Sequence, residues 1–483
     1  MIRRWPAALL VMTSLLATTV VARGVAGAPP ADDAAIVHVL SRLGFGPRPG
    51  DLARVRALGL ERWIDSQLMP ARLDDSECVD RLRGLPTLTL STGALQRAYP
   101  RLDKDTREML KTGAMSRREA LERFPADTRP ARITAELAAA RLVRAVESEQ
   151  QLQEVMVDFW FNHFNVHAGK GEVRWYVTSY ERDVIRPHAL GRFPELLRAT
   201  ARHPAMLFYL DNWLSTRPDF VVGAGPNRGR RAGLNENYAR ELMELHTLGV
   251  DGGYTQRDVT EVARAFTGWT IDRPREDARF VFRPRMHDSG PKVVLGSRVA
   301  GGGQGDGEQV LDLLARHPAT ARFIAGKLVR RFVADEPPPA LVERVAATFR
   351  ATDGDIRQML RTIVAAPEFW SPDARRAKIK KPVEYVASAA RAVGAHVDVR
   401  GGEALARAAA EIGEPLYDAQ PPTGYPDRAE AWVNAGALLA RMNFALALTQ
   451  GRLPGVSVVV SQLVADSRSS PDAALERLLE VVL

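Results

Sequence analysis

Residues 235–269 read NENYARELMELHTLGVDGGYTQRDVTEVARAFTGW. They hold two helical patterns joined by a glycine-bearing turn. At ~100° per residue, one polar arc of the first pattern gathers Asn237, Arg240, Glu241 and Glu244. The other side gathers Asn235, Ala239, Leu242, Met243 and His246, with Tyr238 and Leu245 at the edges. Gly249 is placed to end this helix in a left-handed cap. Residues 251–254 make the turn. Thr255 and Asp258 stand three apart, the spacing of a capping box that starts the second helix. Val259, Val262, Ala263 and Phe266 recur at three- and four-residue steps and form its apolar face. Gly268 then ends it.

The same helical period governs the chain on both sides. It recurs over 33–43, 49–68, 134–147, 150–167, 174–185 and 193–210. It returns over 319–332, 339–351, 356–366, 382–393 and 429–448. The predicted fold is therefore mainly α: a large multi-helix body with one small β-hairpin insertion around 279–296. There, RFVFRP (279–284) alternates and KVVL (292–295) is a short apolar run. The turn His287-Asp288-Ser289-Gly290-Pro291 lies between them. Residues 82–127 are polar and irregular, and 215–233 read as a long loop. The glycine run 301–307 reads as a loop ahead of a helix from 309. It lacks the G-K-[ST] ending of a phosphate loop. The chain divides into N-terminal helices and an irregular insertion (29–130), a helical core (131–395) and a C-terminal helical region (396–483). The tail after 456 reads as a strand-like patch and one last helix.

Composition narrows the function classes. The chain has 483 residues, 46% of them hydrophobic, enough for a large core. Cys78 is the one cysteine, so neither an intramolecular disulfide nor a cysteine metal cluster can form. The net charge of +8 is scattered rather than gathered into a basic stripe with aromatics, so no nucleic-acid partner is expected. Arg3 and Arg4, the apolar run 7–22 and small residues up to Ala28 have the form of a signal peptide over 1–28. An exported protein, periplasmic or secreted, is expected, with no integral membrane segment after cleavage. The run is short against the ~20 residues of a membrane span.

Three constellations carry chemistry. In 150–167, Leu152, Val155, Met156, Phe159, Trp160 and His163 form an apolar stripe, and His163 and His167 stand four apart. Two imidazoles at that spacing can share a divalent metal. Equally, His163 can be a core histidine bonded to a neighbour. In 235–246, Glu241 and Glu244 can be a solvated face with a helix ion pair to Arg240. Alternatively, with Asn237, they can line a cleft as ligands or acid–base groups. His246 points away from Glu241 and toward the core, where it can meet His163 as a second metal ligand. The third set is His287, Asp288 and Lys292 on the hairpin turn, either catalytic or ordinary turn chemistry. No G-x-S-x-G elbow is present, which leaves a serine hydrolase unsupported.

Several stretches together resemble the bacterial family named domain of unknown function 1800, over about 38–448. They are SRLGFGP (41–47), FWFNHF (159–164), HPAM (203–206), YLDN (209–212), NENYARE (235–241) through Gly249, and ARAFTGW (263–269). His287-Asp288, Lys292, Pro421-Pro422 and Gly424-Tyr425 complete the pattern. The resemblance implies a helical exported protein, often encoded beside a sulfatase-like protein of the domain of unknown function 1501 family, and no established reaction. Two functions stand as expectations. One is a metal-dependent enzyme acting on envelope or extracellular material, with Glu241, His246, His287, Asp288 and Lys292 as catalytic groups. In it His163 and His246 are metal ligands, and Asn162, Asn235, Asn237, Arg240 and Trp269 are binding groups. The other is a non-catalytic binding or assembly partner of the sulfatase-like protein.

Overall fold

The computed structural model describes residues 32–122, 125–222 and 229–458. The expected signal segment and the expected last helix lie outside them. Helix accounts for 60% of the structure and strand for 5%, so the mainly α expectation holds. No helix among the described residues is long and apolar enough to cross a membrane.

The Gln151–His163 helix is the axis of the body. Every residue from Gln151 to Phe161 is buried, as is His163. A helix enclosed on all sides must pair its polar residues internally, and this one carries Gln151, Gln153, Glu154 and Asp158. The Ala131–Glu147 helix precedes it and packs on the Val399–Ile412 helix. Gly402 makes that approach possible, because a Cβ there would lie 2.5 Å from the Ala139 carbonyl oxygen. One apolar core runs from Ala35 to Val456 and includes side chains from all three sequence regions.

The opening stretch folds largely as its pattern predicts. Asn237–Glu241 is α-helix and Leu242–Thr247 continues it as a π-helix. The wider turn comes from Leu248 N–H donating to the Met243 carbonyl at 2.8 Å. The Thr247 hydroxyl reaches the Leu242 carbonyl at 2.6 Å. Single π-turns of this kind recur at functional sites. The capping box of Thr255 and Asp258 is formed. Gly249 has φ 83°, and a Cβ there would meet the Phe323 ring at 2.9 Å, so both backbone and packing require glycine.

The two strands expected around 279–284 and 292–295 are present, but each pairs with a strand the sequence reading did not place. Arg279–Phe282 pairs antiparallel with Trp269–Asp272, and Lys292–Val294 with Ser297–Val299. The segment around His287 is therefore a connection between two hairpins rather than the turn of one. The helix expected from 309 begins earlier, at Gln304. Two of its glycines are helical, and Gly307 takes the place where any Cβ would strike the Trp269 indole at 2.7 Å. Close packing here overrides glycine's low helix propensity.

Candidate functional site

A cavity of about 230 Å³ opens beside the axial helix. Its walls come from three places. Asp158, Phe159, Asn162 and His163 belong to the axial helix; Lys327, Arg330 and Arg331 to the Pro318–Phe332 helix. The 423–428 segment supplies Thr423, Tyr425, Pro426, Asp427 and Arg428, and Lys381 closes one side.

Asn162 holds that segment in place. Its amide donates to the Tyr425 carbonyl at 2.8 Å, and its side-chain oxygen accepts the Tyr425 N–H at 2.7 Å. Gly424 has φ 68°, and a Cβ on it would lie 2.5 Å from Asn162 oxygens. Asn165 and the Tyr209 hydroxyl bind the same strap, through the Ala419, Pro421 and Gln420 carbonyls. Asn162, expected as a binding residue, thus acts as a backbone clamp at the cavity edge.

His163 lies behind the clamp. Its Nε2 is 3.1 Å from the His246 carbonyl oxygen. A carbonyl only accepts, so Nε2 carries the proton and Nδ1 is left as the acceptor. That Nδ1 is buried and has no hydrogen-bond partner among the described residues. Burial drives the His163 pKa well below its ordinary range, with the charges of Lys327 and His246 adding to the shift. Burial likewise lowers His246 to about 3, reinforced by Lys327. Both rings are neutral at pH 7.

The His163 and His246 rings do meet in the core, 6.2 Å apart between centroids, as the helix arcs predict. His163 Nε2 is engaged by the His246 carbonyl, while His163 Nδ1 and His246 Nε2 are both buried without a hydrogen-bond partner among the described residues. His167 turns instead toward Asp418, 3.5 Å away. No group of three or more His, Cys, Asp or Glu suited to a metal occurs among the described residues.

The charge balance of the cavity is positive, with five cationic side chains against Asp158 and Asp427. Most of the cations are answered. Lys381 reaches Asp158 at 2.9 Å and Glu414 at 3.4 Å, and Arg331 reaches Glu384 at 2.5 Å. Arg428 pairs with Glu336 at 3.0 Å, and Asp427 with Lys378 at 3.0 Å. Burial pushes the Asp158 carboxyl up, but Lys381, Arg141 and Arg331 outweigh it and keep it ionised.

Lys327 differs. Among the described residues it has neither an ion pair nor a hydrogen bond, and its ammonium stands 5.5 Å from the Phe323 ring centre. Burial lowers its pKa to about 8, against an opposing pull from Asp427 and with a small push from Arg330. Arg330 likewise has only a backbone partner, the Asp335 carbonyl at 3.0 Å.

The other expected site residues lie elsewhere. Glu241 is half-buried beside Glu244, and burial and that neighbour raise its pKa, with Arg240 opposing. It does not line the cavity. Asn235 accepts the Asn237 N–H at 3.0 Å, and Asn237 donates to the Leu210 carbonyl at 3.3 Å. Arg240 bonds Gln256 at 2.9 Å and Glu236 at 3.4 Å. These are contacts that hold the helix start. Trp269 is fully buried against Phe266 and Phe280.

His287, Asp288 and Lys292 join a separate buried network, none of it at the cavity. His287 Nε2 lies 3.1 Å from Asp306, and Nδ1 lies 2.7 Å from the Thr267 carbonyl oxygen. The Lys292 ammonium donates to Asp306 at 2.7 Å, to the Gly290 carbonyl at 2.9 Å and to the Asp288 carbonyl at 2.5 Å. Asp288 takes both arms of Arg264, at 2.8 and 3.0 Å. Lys292 and Asp306 have no side-chain exposure. Burial pushes the Asp306 carboxyl up, yet bonds from Lys292, Gly302 and His287 hold it below its usual range. The set fastens the two hairpins to the 256–266 and 304–315 helices.

Residues 38–483 match the family described as protein of unknown function (DUF1800). The chain belongs to this family. No curated protein and no solved structure matches it. Within this family member, sequence reading found His163 and Asn162 but missed Lys327, Arg330, Arg331, Lys381 and Asp158. One signal was available: Asp158, an acid set within the apolar run Val155–Phe161, requires a buried cation, and the K-I-K-K run at 378–381 supplies one.

Proposed function

We propose that this protein binds a small anionic ligand in the cavity beneath the 423–428 strap. The observation that carries this reading is Lys327, a half-buried cation on the cavity wall with no carboxylate within ion-pair distance among the described residues. A charge left unpaired in low dielectric is costly, and an anion relieves that cost. Arg330, free of ion pairs, supplies a second contact of the planar kind that suits phosphate, sulfate or carboxylate. The volume of about 230 Å³ is below that of drug-sized ligand pockets, which favours a ligand of a few heavy atoms. Beside the ligand stands a neutral imidazole with an unused acceptor nitrogen, His163. The chemistry on offer is charge neutralisation by Lys327 and Arg330 and hydrogen-bond acceptance by the neutral His163 ring.

Isothermal titration calorimetry with inorganic phosphate, sulfate and acetate tests the reading. Binding of at least one anion by the wild-type chain, lost in Lys327→Met, is the expected result. Absence of binding to the wild type, or equal binding by the variant, defeats it.

A further inference from the structure

The Ala435–Thr449 helix is apolar on nearly every side, yet one side is bare. Leu438, Leu439, Met442 and Leu446 are 50%, 59%, 64% and 55% exposed. They stand at steps of one, three and four residues and form a continuous stripe. The opposite side is seated in the core through Ala437, Phe444 and Leu448. A helix apolar all round belongs in an interior, and a single stripe of four large side chains in water is costly.

We propose that this stripe is the docking face for the C-terminal segment of the same chain, residues 471–483. That segment reads PDAALERLLEVVL. Its Leu475, Leu478, Leu479 and Val482 follow the i, i+3, i+4, i+7 spacing of one helical face, with Glu476, Arg477 and Glu480 off it. The stripe and the segment are complementary in kind: each sequence carries large apolar side chains at helical spacing.

The tether permits the match. The described chain ends at Val458, just after the Val456–Ser457 strand, which pairs with His396–Val397. Residues 459–470 can extend to about 40 Å at ~3.3–3.6 Å per residue. The receiving helix of 15 residues is only about 22 Å long. An occupant joined by so short a link is at high effective concentration and needs little intrinsic affinity. The helix also follows directly on the strap that walls the cavity, with Trp432 between them bonded to the Pro426 carbonyl at 3.0 Å. Docking at the stripe therefore fastens one wall of the cavity. The inference does not depend on the cavity's ligand.

A photoreactive benzophenone side chain placed at Met442 of the full-length protein gives the test. After irradiation, peptide mapping is expected to show 442 joined to 471–483 within one chain of monomer mass. In the same labelled protein, Leu479→Glu is expected to cut that product at least tenfold while the helical circular dichroism signal is unchanged. A product joined to 1–31, a product joined to a second chain, no product, or a product unaffected by Leu479→Glu would each overturn the proposal.

Discussion

Two places in this molecule gather the same kinds of side chain, a lysine, a histidine and carboxylates. Around Asp306 every charge is answered: Lys292 donates to one carboxylate and two carbonyls, and both His287 nitrogens face oxygens. Around Lys327 the count is left open: among the described residues the ammonium has no ion pair and His163 Nδ1 has no hydrogen-bond partner. Satisfied polar groups specify a structure, whereas an unsatisfied one calls for a water, an ion or a ligand. The residues that look most catalytic on paper, a His-Asp pair beside a lysine, belong to the closed network.

The largest effect expected is therefore structural. Asp306→Asn leaves the fully buried Lys292 ammonium without its counter-charge. Removing one partner of a buried pair costs roughly 3–5 kcal/mol, which denaturant unfolding at neutral pH will read directly. A loss under ~1 kcal/mol would show that water reaches this network and that the contrast with the cavity is false.

Buried histidines give the next effect. Burial lowers His246 and His203 to about 3 and His38 to about 4. Each is neutral in the folded state, while in the unfolded chain it gains a proton below ~6.5. Their contribution is thus intact above that value and is lost as pH falls toward 4, at up to ~1.4 kcal/mol per pH unit per histidine. His246→Gln should make the stability–pH curve shallower by about one proton between pH 6 and 4. An unchanged slope would mean that His246 is already solvated.

Asn162→Ala comes third. It removes both bonds to Tyr425 and should cost about 1–3 kcal/mol. The strap's amides should also exchange hydrogen faster, while those around Asp306 keep their protection. Equal loss of protection in both regions would mean that the two unfold together and that the strap is not a separate element.

How much of this could be read in advance follows from the range of the forces. The helices, the Thr255 cap and the Gly249 stop are local, so a window of a few residues contains their cause. The inward turn of His246 was legible for the same reason. Strand pairing was not, because RFVF could join either the segment before it or the one after it. It joins the former, where Trp269 pairs opposite Phe282 and packs close over Gly307. The cavity was harder still, since Asp158 and Lys381 are 223 positions apart in the chain. Lys327 looks like any helix-surface lysine until the 423–428 strap lies beside it.

Lys327→Met turns the comparison into a number. Losing an unanswered, part-desolvated charge should leave stability within about 1 kcal/mol of wild type, or raise it. Anion affinity should fall roughly tenfold or more, since a charge-assisted contact is worth ~1.5–3 kcal/mol. In the wild type, an anion requires the protonated ammonium, so affinity should decline as pH rises through about 8. Calorimetry at pH 7 and 9 measures that decline, and a flat profile would remove Lys327 from the site.

The smallest effect separates Glu241 from the cavity. Burial and Glu244 both raise its pKa, and among the described residues no hydrogen bond or ion pair answers it. Glu241→Gln deletes a like-charge neighbour while keeping the shape, so stability should change by no more than about 0.5 kcal/mol, and upward. Anion binding should be untouched, because Glu241 does not line the cavity. Should Glu241→Gln instead weaken binding as much as Lys327→Met, the helix of residues 235–247 and the cavity would form one site. The division between a structural motif and a functional pocket would then fall.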